Sequence, residues 1–300
     1  MRKLTVAYIT YRKEPMISWF LDSLERELKN WCEDAGIVII DYYADYGRKL
    51  SLPSGAFHVP PKPCVWQGKH RLTTRDYFAA ANARNTALCL ADSEWIAYCD
   101  DLSVLLPGWA TGIQAAMKEE YVVCGAYKKV NDLTVKKGDV LRFTEQLHGI
   151  DNRLTLSHNS IISCNGGWLF GCSCAMPVEY LLSINGWDET CDGCGSEDYC
   201  TGIRMRNAGY SFKYDPRMMT YESEELHTDR GEFTRIDKGI SPHDKSHKLL
   251  YAAQASKWCP NYFEEGGIRA LRNKILAGDP FPIQRIPEHD FFDGQPLCEM

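Results

Sequence analysis

The feature that most constrains the fold lies near the N-terminus. Leu4-Thr5-Val6-Ala7-Tyr8-Ile9 is a short, mostly apolar run, and Ile37-Val38-Ile39-Ile40 is a second, continuous one. Runs of this length, apolar throughout, belong to strands covered on both faces. Between them Ile17, Phe20, Leu21, Leu24, Leu28 and Trp31 recur at helical spacing, which predicts an amphipathic helix from about Pro15 to Trp31. Strand, helix and strand in that order make a parallel crossover, and the chain is expected to continue as an α/β protein.

The rest of the chain keeps to that plan with interruptions. Gly47 to Arg75 carries Pro53, Pro60, Pro61 and Pro63 together with Lys62, Lys69, His70, Arg71 and Arg75, and reads as a long functional loop. An alanine-rich helix is expected over Tyr77 to Ala91, then a strand, Trp95 to Cys99, ending at Asp100-Asp101. Pro107-Gly108-Trp109 opens another helix, and Tyr121 to Ala126 is a further strand. Lys128 to Ser160 is weakly patterned and reads as an edge excursion, while Ile161 to Cys164 and Trp168 to Phe170 read as strands around Gly166-Gly167. A short helix, Pro177 to Ile184, and an alternating strand, Tyr210 to Tyr214, complete a main domain over 1–239. Residues 240–300 differ in composition and read as an appended segment with helices around His247 to Trp258 and Ile268 to Leu276, then a proline-rich end.

Composition narrows the partners. A net charge of −6 with no clustered basic face argues against nucleic acid. No stretch has the length and apolarity of a transmembrane segment or signal peptide. The 13 cysteines are then expected to be reduced, small and buried, as in a cytoplasmic protein. Cys191 and Cys194 have metal-ligand spacing, but a structural zinc site usually needs two such pairs and this region has one.

Three constellations carry chemistry. Asp100-Asp101 follows a buried strand, and strand carboxyl ends face the ligand crevice of open α/β sheets, so the pair is placed to hold a divalent cation. Ser196-Glu197-Asp198 opens a helix after a glycine-rich approach. Ser suits an N-cap and acids suit the helix dipole, yet one carboxylate there could also take a proton from an attacking hydroxyl while the other orients the acceptor. His227 lies beyond a strand and could complete a metal site with the Asp pair, since carboxylate plus imidazole suits manganese-like ions. Trp168 and Trp187 could offer faces to sugar rings or pack in the core.

In order, these pieces resemble inverting glycosyltransferases of the nucleotide-diphospho-sugar GT-A fold, family 2 type. The resemblance rests on Thr5 to Arg12 with Ile37 to Asp41, Ala83-Arg84-Asn85-Thr86, Asp100-Asp101 with Pro107-Gly108-Trp109, Asn185-Gly186-Trp187-Asp188-Glu189, and Glu197-Asp198 running into Arg204 to Tyr210. It implies a Rossmann-like, mostly parallel sheet flanked by helices, with a helical C-terminal extension. By resemblance, Thr10, Tyr11, Arg12, Asp41, Arg84 and Asp100 bind the nucleotide-sugar, and Asp198 is the base with Glu197 beside it. Asp100, Asp101 and His227 would hold Mn²⁺ or Mg²⁺, and the partners would be a nucleotide-sugar donor and a carbohydrate or glycoconjugate acceptor. The sequence departs from the family's acidic triplet at Leu102, which raises the rival reading of a non-catalytic carbohydrate- or nucleotide-binding module.

Overall fold

The first apolar run is strand β1 (Arg2–Thr10), buried from Leu4 onward. Helix α1 (Ile17–Leu28) turns Phe20 and Leu24 inward and returns the chain to β2 (Ala35–Asp41), which lies parallel to β1 with Thr10 opposite Asp41. The expected crossover is therefore present. The computed structural model describes residues 2–29, 31, 34–62, 79–192, 195–227, 250–261 and 266–279.

The chain continues through β3 (Phe57–Val59), α2 (Ala80–Leu90), β4 (Ser93–Asp100), β5 (Ser103–Leu105), α3 (Trp109–Glu119), β6 (Val122–Lys136) and β7 (Asp139–Ile150). It then forms α4 (Asn152–Leu156), β8 (Ile162–Cys164), β9 (Ser173–Pro177), α5 (Val178–Ser183), α6 (Glu197–Asn207), β10 (Phe212–Ser223) and α7 (Glu224–His227). One sheet runs in the order β3-β2-β1-β4-β9-β6-β10-β5, with β7 on β6 and β8 on β10. Strands β3, β2, β1 and β4 are parallel, β9 is antiparallel to β4 and β6, and β10 is parallel to β6. The carboxyl ends of β1, β2, β4 and β10 consequently point to one edge.

Helices α1 and α3 cover one face, where Phe20, Leu24, Trp109 and Ile113 pack on Leu4, Val6 and Tyr8. The opposite face carries α2 and α5, with Leu88 and Leu181 on Ala7, Ile9 and Tyr98. Residues 250–255 are helical (α8), and α9 (Gly267–Leu276) buries Ile268 in the same core. Of the appended segment, the described residues reach the sheet's helical layer through Cys259 and Ile268. Residues 63–78, 228–249 and 280–300 lie outside the described residues, and with them Trp66, Lys69, His70, Arg71, Arg75 and the proline-rich end. No helix among the described residues is long and apolar enough to cross a membrane.

Two expectations are corrected. The stretch from Lys128 is a long β6–β7 ribbon, whose turn uses Lys137 at φ 51° and Gly138 at φ 76°. Two successive positive φ values give the turn twist that matches paired strands. Its pattern is weak because much of the ribbon is solvated, so no apolar face betrays it. Trp168 to Phe170 is not a strand. Gly166–Trp168 is a 3-10 turn pressed on α6, where a Cβ on Gly166 would stand 1.9 Å from the Gly202 carbonyl oxygen. These glycines allow the turn to press on α6. Gly166→Ala is expected to cost about 1–3 kcal/mol in urea unfolding, through displacement of α6.

Candidate functional site

The carboxyl ends of β1, β4 and β10 meet on one guanidinium. Arg12, buried just after β1, donates Nε to Asp101 Oδ1 at 3.0 Å, Nη1 to the Leu226 and His227 carbonyls at 3.1 and 3.2 Å, and Nη2 to the Tyr11 hydroxyl at 3.2 Å. Its Nη2 also stands 3.1 Å from His227 Nδ1. Thr10 Oγ1 donates to the other Asp101 oxygen at 3.0 Å. Burial lifts the Asp101 carboxyl to about 6 although Arg12 opposes the rise. Thr10, Tyr11, Arg12, Asp101 and His227 are therefore brought together, with Arg12 as the link between the acid and the histidine.

Asp41 is placed differently from the expectation of a pocket-lining acid. It is fully buried, accepting from Arg48 through Nε at 2.8 Å and through Nη2, from Tyr43 N at 2.9 Å, and lying 2.8 Å from His58 Nε2. Arg48 also donates to the Arg12 and Lys13 carbonyls at 2.7 Å, so this cluster braces the β1 loop from beneath. Neither carries a sequence signal of that role: Arg48 lies in a polar loop and His58 in the short edge strand β3.

The second half of the site is the first turn of α6. Ser196 precedes it at φ 69° and makes no side-chain cap, so the capping role expected of it is absent. A non-glycine residue held in the left-handed region is strained, and such strain gathers where geometry is constrained for function. Asp198 accepts from Tyr199 N at 2.8 Å and is half-buried. Burial, then the Glu197 charge, raises it to about 7, against the pull of Arg84.

Arg84 joins the two halves. Its Nη1 donates to Glu197 Oε1 at 2.9 Å and its Nη2 to Asp100 Oδ1 at 3.1 Å. Burial works against its charge, yet Asp100, Glu197 and Asp198 together hold its pKa above the ordinary value. The guanidinium rests over the Trp187 ring, 4.9 Å from its centroid. Gly171 has no side chain because Arg84 needs the space: a Cβ there would fall 2.1 Å from Arg84 Cζ.

The Gly186-Trp187-Asp188-Glu189 stretch turns out to be scaffold. Asn85, next to Arg84 on α2, accepts from Trp187 N at 2.7 Å and donates to the Trp187 carbonyl at 2.9 Å. Glu189 takes Lys62 Nζ at 2.6 Å, Asp188 pairs with Arg204 at 3.0 Å, and Asp192 accepts from the Ala81 and Asn82 amides at the start of α2. Asn261 and Asn185 exchange side-chain and backbone bonds, tying the appended segment to the same stretch. Trp187 itself is fully buried, edge-on to Tyr98, so it is a core residue and not a sugar platform. Trp168 remains half-buried at the turn on α6, edge-on to Tyr214.

Glu222 is a buried acid near this site that the sequence does not single out. On β10, Met218, Thr220 and Glu222 all fall on the buried phase, so an acid in an inward position was the available signal. It is 5% exposed, and its Oε1 is buried with no hydrogen-bond partner among the described residues. Burial, then the charge of Asp100, lifts it to about 8.

Among the described residues no three His, Cys, Asp or Glu side chains stand together as a ready metal site. Asp101 and His227 are both engaged by Arg12. Oxygen donors fit for a hard cation nonetheless exist on the Asp100 side, where Asp100 is 38% exposed and Glu222 has an orphaned oxygen. Of the cysteines, Cys191 and Cys200 are buried free thiols, and Cys194 lies outside the described residues.

The arrangement can be set against known proteins. No family model matches the sequence, and no curated protein matches it. Among solved structures it is similar to GalNAc-T7 with UDP, GalNAc and Mn²⁺, at TM-score 0.53 and 12% identity over 84% of this chain and 48% of that one. The fold is that of the GT-A glycosyltransferases. The chain spans about half the length of GalNAc-T7. S. aureus TarS 1-349 in complex with UDP aligns at TM-score 0.49 and 16% identity, over 91% of this chain and 70% of that one.

Proposed function

We propose that this protein is an inverting glycosyltransferase that moves a sugar from a nucleoside-diphosphate donor to an acceptor hydroxyl on a carbohydrate or glycoconjugate. The observation that carries the reading is Arg84, one buried guanidinium bonded both to Asp100 at the end of β4 and to Glu197 in the first turn of α6. It sets a donor-side acid and an acceptor-side acid one side chain apart, at the sheet edge where α/β proteins bind their ligands. The GT-A fold supports the same assignment.

In this reading the donor lies over the ends of β1 and β4, with Asp100 toward the nucleotide and the Arg12 cluster holding the β1 loop in place. Asp198 takes the proton from the acceptor hydroxyl as it attacks the anomeric carbon from the face opposite the leaving diphosphate. Glu197, held by Arg84, keeps Asp198 in register and raises its basicity through like charge. A divalent cation bound beside Asp100 would act as a Lewis acid, neutralising charge on the leaving diphosphate.

The pH dependence follows from Asp198. A general base works as the carboxylate, so the protonated form below about 7 is inactive and kcat/KM should rise through that value. The profile measured from pH 5 to 9 with donor and acceptor checks this. A flat profile across pH 6 to 8 would remove Asp198 from the role.

A further inference from the structure

Glu222 is built into the site in a way that folding alone does not explain. It lies on β10 directly opposite Ser103 of β5 and beside Lys129 of β6. Ser103 Oγ in turn donates to the Asp100 carbonyl at 2.6 Å, so the strand pairing fixes Glu222 against the Asp100 turn. That turn is itself locked, with Leu102 buried at φ 60°, its amide donating to the Tyr8 hydroxyl and its carbonyl accepting from Ser223 N.

The charges around Glu222 are mostly of the wrong sign. Asp100 is its strongest charged neighbour, and Asp101 and Glu224 add to it. Lys129 opposes them, but its Nζ is also 3.7 Å from Glu224. Burying a carboxylate oxygen without a hydrogen bond is costly, and other carboxylates nearby increase the cost. The orphaned oxygen needs a partner, and a divalent cation can supply one in place of a proton. A divalent cation offsets both carboxylates, and Mg²⁺-like ions are commonly held by one or two protein carboxylates plus substrate phosphates.

Resting on the glycosyltransferase reading, we propose that Glu222 and Asp100 are the protein's carboxylate ligands for a divalent cation, completed by the diphosphate of the donor. Asp101 and His227 then stand behind them as the Arg12-linked support.

The test follows binding of Mn²⁺ to the full chain, through loss of the free-ion electron paramagnetic resonance signal, with and without UDP. Wild type should bind Mn²⁺ in the presence of UDP, and Glu222→Gln and Asp100→Asn should each weaken it at least about tenfold. Thermal melts in EDTA accompany the titrations. Glu222→Gln should melt at or above wild type there, while Mn²⁺ with UDP should raise the melting temperature of wild type and not of the variant. Should Glu222→Gln not fold, Glu222→Asp, which keeps the charge and retracts it, is expected to show the same loss. Wild-type affinity in the Glu222 variants, or no Mn²⁺ binding by wild type with UDP, would overturn the proposal. Donor turnover measured without added metal is independent of either result, so the glycosyltransferase reading can survive its failure.

Discussion

Asp198→Asn is expected to lower kcat by about 10²- to 10⁴-fold, the range that general-base assistance typically contributes. The substitution is close to isosteric and keeps an oxygen to accept from Tyr199 N, and it removes a charge that burial already disfavours. The fold should therefore be intact and donor affinity nearly unchanged. On the proposed mechanism, what is lost is the proton acceptor. Steady-state transfer at saturating donor, with donor affinity from titration, separates the two effects, and transfer near the wild-type rate would exclude Asp198 as the base.

Arg84→Met is expected to destabilise the protein by about 3–5 kcal/mol at pH 7, the cost of leaving buried charge uncompensated. Methionine fills much of the space beside Trp187 but leaves Asp100, Glu197 and Asp198 facing one another. Because those groups can then take up protons, the deficit should shrink as pH falls toward 5. Urea unfolding of both proteins at the two pH values measures this, and an equal deficit at each would mean that Arg84 acts through packing and not through charge.

The two expectations rest on residues whose roles were unequally visible in the sequence. The β1–α1–β2 crossover was readable because each strand has a mostly apolar run and its helix has one apolar stripe. Asp100-Asp101 and Glu197-Asp198 were readable as acids at element ends. Their division of labour was not. Asp101 and Asp100 are adjacent, yet one is consumed by Arg12 and the other is left half open, which only the meeting of β1, β4 and β10 decides.

The same limit explains Gly186-Trp187-Asp188-Glu189. Its acids are buried struts, Glu189 held by Lys62, which is distant in sequence, and Asp188 by Arg204 on α6. Ser196 shows the converse, since a residue type that favours capping is held at positive φ and caps nothing. Glu222 escaped because a single inward acid on a strand otherwise reads as a surface residue in a shifted register. Leu102, which motivated the binding-module reading, is buried beneath the Asp turn and takes no part in the open side of Asp100.

The most direct test of the account is release of nucleoside diphosphate from a panel of nucleotide-sugars, with Mn²⁺ or Mg²⁺, by wild type and by Asp198→Asn. Wild type should turn over at least one donor, with stimulation by an acceptor, and the variant should largely lose that turnover. Binding of nucleoside diphosphate without turnover of any donor would contradict it and favour a non-catalytic binding module.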